Sequence, residues 1–182
     1  MRDKFIFKLV FFAIFLLSFF NASSKELKFE ASSIEIIDKD KIIIAKQGVR
    51  ILSGDEIVID ADQMRYDKDK KFLEASGNIK IKNQIDNFVI NSDYITYDKV
   101  SEKIISSGKV KVEFDNNYTV ETKEIIYFKN TGEIHVNYVS KIEDNFENEI
   151  EFKKFRYNTN DKLLKGKLVK LKDFEKNFYN FD

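Results

Sequence analysis

Residues 66–81 read YDKDKKFLEASGNIKI, and residues 97–112 read YDKVSEKIISSGKVKV. A sentence written twice at a fixed distance is the mark of a repeat architecture. Its frame extends along the chain, because Tyr66, Tyr97, Tyr127 and Tyr157 follow one another at spacings of 31, 30 and 30. Upstream, residues 32–51 (SSIEIIDKDKIIIAKQGVRI) fit the same frame with Ile37 in the tyrosine place. Gly48, Gly77, Gly108 and Gly166 each precede an alternating segment, whereas in the degenerate copy Gly132 arrives early. Four residues before the tyrosine stands Asp62 or Asp93 in the cleanest copies, and Lys123 or Lys153 later. The expectation is a firm frame with interchangeable polar positions.

Each copy alternates with period two, the signature of a half-buried strand. Val110, Val112 and Phe114 share one phase while Lys109, Lys111 and Glu113 take the other. Ile79 and Ile81 alternate with Asn78, Lys80 and Lys82, and Ile134 and Val136 with Glu133, His135 and Asn137. Residues suited to a pleated surface dominate. Turn formers such as DKDK, NQIDN, DNN and NTNDK lie between, and no proline removes a ladder donor. The reading is all-β. Parallel solenoid rungs typically carry tight Gly and Asn corners, but only six glycines occur and the connections are charged and irregular. Antiparallel hairpins with one apolar and one wet face fit better, which predicts an open β-sandwich or jellyroll of ~30-residue repeats.

The first residues do not belong to this pattern. MRDKFIFK is basic, LVFFAIFLLSFF is uncharged, and NASS supplies small residues, so residues 1–22 read as a signal peptide and 23–182 as one domain. Cleavage after Ala22 and after Ser24 both fit. The alternative, a membrane anchor, needs about 20 apolar residues, and the uncharged run from Leu9 to Ala22 has 14. No cysteine follows, which excludes a lipoprotein anchor, disulfides and thiolate metal sites. Removing residues 1–22 takes away Arg2, Lys4, Lys8 and Asp3, leaving 28 basic and 30 acidic side chains and a net charge of −2. The interspersed signs do not suggest a nucleic-acid partner.

Catalytic and metal chemistry find little to stand on. His135 is the only histidine and lies on a polar strand phase. No serine sits in a GxSxG elbow, and no glycine-rich phosphate loop occurs. Asp60 and Asp62 form a carboxylate pair, but their DADQMRYD context recurs as NSDYITYD, a strand-to-turn junction. No enzyme, cofactor or metal is expected.

The stretches ADQMRYDKDKKFLEASGNIKI and NSDYITYDKVSEKIISSGKVKV resemble the repeat of the OstA-like family of lipopolysaccharide transport, across roughly residues 27–172. That family includes the periplasmic bridge protein LptA and the N-terminal periplasmic domain of the outer-membrane translocon LptD. Residues 142–171 resemble the segment that closes the LptD domain, whereas the overall size is that of LptA, so both branches stay open. The resemblance implies a twisted jellyroll, open at both ends, whose interior shields the acyl chains of lipid A. The expected groove lining is Ile57, Ile59, Ile79, Ile81, Phe88, Ile90, Val110, Val112, Phe114, Val120, Ile134 and Val136. The implied partners are lipopolysaccharide, other jellyroll proteins joined through edge strands around Leu27–Ile36 and Gly166–Leu171, and the outer-membrane translocon. The implied location is the periplasm, in association with the outer membrane. A structural envelope β-repeat protein with no lipid ligand is the competing expectation.

Overall fold

A computed structural model describes residues 27–54, 57–83, 85, 87–114 and 117–180. The signal-peptide reading lies outside them. The strands are β1 (Leu27–Glu30), β2 (Ser33–Ile37), β3 (Ile42–Ser53), β4 (Ile57–Asp67), β5 (Phe72–Asn83), β6 (Phe88–Asp98) and β7 (Lys103–Phe114). They continue as β8 (Tyr118–Phe128), β9 (Glu133–Val136), β10 (Ser140–Asp144), β11 (Glu149–Asn158), β12 (Leu163–Lys172) and β13 (Phe178–Asn180). All pair antiparallel in one 13-stranded sheet, ordered β1-β3-β4-β5-β6-β7-β8-β10-β11-β12-β13. The two short strands β1 and β2 lie end to end along β3, and β9 and β10 lie end to end between β8 and β11.

Every long strand is interrupted near its middle, and the interruptions line up across the sheet. Residues 47–48 oppose residue 62, residues 77–78 oppose 93, and residues 108–109 oppose 123. A two-against-one bulge bends a strand and sharpens its twist; repeated at one level in neighbouring strands it creases the sheet. Gln47, Gly48, Gly77, Asn78 and Gly108 all have positive φ at these places. Asp62 lies on Gly77 and accepts a 2.8 Å bond from Asn78 Nδ2, while Asp93 lies on Gly108 and accepts from the Lys109 amide at 3.0 Å. A Cβ on either glycine would overlap the aspartate above it. The two aspartates are therefore not interchangeable polar positions. Lysine replaces them at 123 and 153, where the following strand is broken at residues 137–139 or carries no glycine bulge.

The crease folds the sheet into two layers. Ser53 ends β3 and Tyr97 lies near the opposite end of β6, with two strands between; a flat sheet would separate them by ~14 Å sideways and over 30 Å lengthwise. Their hydroxyls lie 3.4 Å apart. The same crossing recurs along the repeat. Phe29 meets the Tyr66 ring at 5.4 Å, Phe88 meets Tyr127 at 5.1 Å, and Phe114 meets Tyr157 at 5.1 Å. Asn83 also donates to the Tyr127 hydroxyl at 3.1 Å. The recurring tyrosine is thus a strut from the first layer to the second. Burial pushes the Tyr97 phenol up, so it stays protonated and donates to Glu102 at 2.8 Å.

The residue after the strut closes the adjoining turn. Asp67 accepts from the Lys70 amide at 3.0 Å, and Asp98 accepts from the Ser101 hydroxyl at 2.8 Å and the Val100 amide at 2.9 Å. The turns stack: the Lys68, Lys99, Lys129 and Thr159 amides donate to the carbonyls of Lys41, Lys71, Glu102 and Gly132 in the turn before. Between the layers lies one continuous core of mainly Ile, Val and Ala with the buried rings. The fold is an all-β, twisted antiparallel jellyroll.

Two outcomes follow. Gly77→Ala meets both a left-handed backbone and the Asp62 carboxylate, whereas Gly48→Ala meets only the backbone, since nothing lies within 4 Å of its added Cβ. Urea unfolding should show Gly48→Ala losing about 1 kcal/mol and Gly77→Ala at least about 2 kcal/mol. The Ser101 hydroxyl bond holds the Asp98 carboxyl below its usual range, and the Lys70 amide does so for Asp67. A lowered folded value means stability that is full at neutral pH and lost as pH falls below ~4. Replacing both with Asn should flatten the acid limb of a pH–stability curve and leave its alkaline limb unchanged.

Candidate functional site: an apolar cavity between the layers

At the C-terminal end of the sandwich the two layers diverge around a cavity of about 450 Å³. The second layer contributes Phe114, Tyr118, Val120, Ile142, Ile150 and Phe152, and the first contributes Phe155, Tyr157 and Leu164. Lys162, on the exposed turn before β12, is the one charged residue of the lining. The volume falls in the range of ordinary ligand pockets, roughly 300–1,000 Å³. Aromatic contacts fix the wall: Phe114 crosses Tyr157 nearly edge to face, and Phe152 lies 5.7 Å from Phe155.

The crease determines which residues reach this space. In β11 the inward phase runs Ile150, Phe152 before the irregularity at Lys153 and Phe155, Tyr157 after it, so inward positions change from even to odd. The phase also switches in β4, from odd Ile57, Ile59 and Ala61 to even Met64, and in β6, from even Phe88 and Ile90 to odd Ile95 and Tyr97.

All twelve residues expected to line a groove point inward and are buried. Phe114 and Val120 line the open cavity. Ile57, Ile59, Ile79, Ile81, Phe88, Ile90, Val110, Val112, Ile134 and Val136 lie in the closed core beyond it. Sequence reading missed Ile142, Ile150, Phe152, Phe155 and Leu164. The signal available was the double alternation in EIEFKKFRY, split by the lysine pair.

The remaining candidates resolve into structural roles. Asp60 pairs with Arg50 at 2.9 Å and Asp62 with Asn78, both on the outside of the crease. His135 lies 2.8 Å from Glu133 through Nε2, with its ring 4.9 Å from that of Phe128. Among the described residues no group of three or more His, Cys, Asp or Glu could hold a metal ion. Of the N-terminal segment expected to dock a partner, Ile34 and Ile36 on β2 are about half accessible, whereas Leu27 and Phe29 on β1 pack against the core. At the C-terminal edge, however, β13 covers Lys170–Lys172, so the open part of β12 is its first half.

The fold and the cavity define a non-closing β-jellyroll with an apolar interior. No family model and no curated protein sequence matches the chain. Among solved structures it is similar to the crystal structure of LptH, the LptA-homologous periplasmic component of the lipopolysaccharide transport device of Pseudomonas aeruginosa. The TM-score is 0.49 at 18% identity, over 57% of this chain and 76% of that one.

If the cavity persists in solution, a side chain beside it has less packing to lose than one in the closed core. Phe88→Ala should cost about 3–5 kcal/mol and Phe152→Ala distinctly less than that range. Equal losses in urea unfolding would show the cavity to be collapsed.

Proposed function

We propose that this chain is a non-catalytic carrier that takes the acyl chains of an amphiphile between its two layers, in the manner of the lipopolysaccharide-export modules that its repeat resembles. The observation that carries the reading is the cavity: it is open, lined almost wholly by aliphatic and aromatic groups, and continuous with a core of the same chemistry. Each methylene removed from water contributes about 0.8 kcal/mol. A chain of a dozen carbons therefore gains roughly 10 kcal/mol gross, against ~0–1 kcal/mol for an exposed ion pair at the rim. Burial supplies the affinity, and charge orients the headgroup.

In this reading the cavity is the standing entrance. The closed core beyond it has no disulfide, since the chain contains no cysteine, and it is spanned by tyrosine rings that meet the opposite layer through noncovalent contacts. A chain longer than the cavity advances by parting the layers, one strut at a time. No catalytic group is required, and the energy for movement comes from elsewhere. Export through the signal peptide, taken with the family resemblance, favours the periplasm, where free-standing bridge and translocon-domain roles both suit the fold.

Site-specific photocrosslinking tests this. A photoreactive side chain at Ile142 or Phe114 should capture lipopolysaccharide in cells, and one at Lys111, on the outer face, should not. Equal labelling at inward and outward positions would contradict the carrier reading and favour a structural envelope protein.

A further inference from the structure

The outer face of the sheet is neutralised strand by strand. Asp60 stands opposite both Arg50 and Lys80, Glu121 opposite both Lys111 and Lys141, and Glu149 opposite Lys172. Lys141 and Lys172 close on Glu149 at 3.0 and 2.8 Å. Even where Glu143 and Glu149 stand directly opposite one another, Lys141 bridges them at 3.2 and 3.0 Å. Among the described residues one like-charged group has no such bridge. Where the first-layer halves of β11 and β12 pair, Lys154 faces Lys167 and Arg156 faces Lys165 as direct cross-strand neighbours. All four are exposed, and among the described residues none of them makes an ion pair. Like charges directly opposite one another weaken a sheet. In a chain with 31 basic and 31 acidic residues, acidic partners are not scarce. The quartet is a local excess, and an anion from outside the chain would relieve it.

Its position says which anion. The opposite phase of the same two strands, Phe155, Tyr157 and Leu164, lines the cavity. Among the described residues no strand pairs beyond the first half of β12, because β13 pairs only with Lys170–Lys172. The quartet therefore flanks a strand edge whose inward phase lines the cavity, with Lys162, also part of the lining, in the turn at its start. A headgroup whose chains enter the cavity past this edge lies beside the quartet. Phosphate esters fit the donors present: a guanidinium offers a planar, two-toothed contact and ammonium groups compact point charges.

We propose that Lys154, Arg156, Lys165 and Lys167 form the docking site for the phosphate groups of the amphiphile whose chains occupy the cavity, an inference that rests on the carrier reading above. The test compares wild type with the combined variant Lys154→Gln, Arg156→Gln, Lys165→Gln, Lys167→Gln. Three probes are used: a bis-phosphorylated acylated disaccharide, its dephosphorylated form with the same chains, and the chain-free sugar phosphate. Wild type should prefer the phosphorylated lipid by about tenfold at low ionic strength, a preference that salt erodes. The variant should bind both lipids equally, and its Tm should be unchanged or higher, because repulsion has been removed. A preference that survives in the variant, or is absent from wild type, overturns the proposal. So would quartet-dependent binding to phosphatidylglycerol vesicles with the lipid preference intact, which assigns the patch to a membrane surface. If wild type binds neither lipid yet the sugar phosphate still shifts the amide resonances of β11 and β12, the carrier reading fails and the phosphate site stands. If nothing shifts, both fail.

Discussion

A strand of twelve residues that pairs on both sides has no reason to bend, and a sheet of such strands would expose its apolar face to water. What turns this sheet over on itself is a row of aligned bulges, fixed in the two most regular repeats by the contact between an aspartate and a left-handed glycine. Asp62 on Gly77 and Asp93 on Gly108 hold the bulges at one level in successive strands. Only glycine leaves room beneath the carboxylate at these positions. Because the bends line up, they act as a single crease, and the two halves of each strand become opposite walls of one interior.

Twist then offsets the walls. The struts do not join a strand to itself across the crease; Tyr97 reaches β3, Tyr127 reaches β5 and β6, and Tyr157 reaches β7. Each tyrosine thus closes a part of the second layer laid down about one and a half repeats earlier in the chain. The last of the series, Tyr157, meets Phe114, and among the described residues no further member stands over the ends of β10 and β11. The cavity lies there, against Ile142, Ile150 and Phe152. An open end is a geometric consequence of building an interior from offset repeats, and the proposed function makes use of it.

Much of this was legible in the sequence. Period-two alternation specified strands, the ~30-residue period specified hairpins, and the choice of buried aliphatics such as Ile59, Ile81 and Val112 followed from their phase. The crease was not legible, because its consequence is a change of phase within a strand, as between Ala61 and Met64, and alternation counted on either side looks equally regular. The aspartates were misjudged as interchangeable for a related reason: their partner is a glycine fifteen residues on, and a missing Cβ leaves no chemical signature. The cavity lining escaped because depth in a sandwich depends on the stagger of layers. Phase says which residues face inward, not which of them meet another wall.

The central claim is that an acyl chain lies between the layers at the open end. Intermolecular nuclear Overhauser effects between methyl-labelled protein and the chains of a bound acylated disaccharide test it most directly. The account predicts contacts from the methyls of Ile142, Ile150 and Val120 to chain methylenes, and none from Ile34 or Ile36 on the exposed edge strand. Contacts confined to Ile34 and Ile36, with the inner methyls silent, would contradict it.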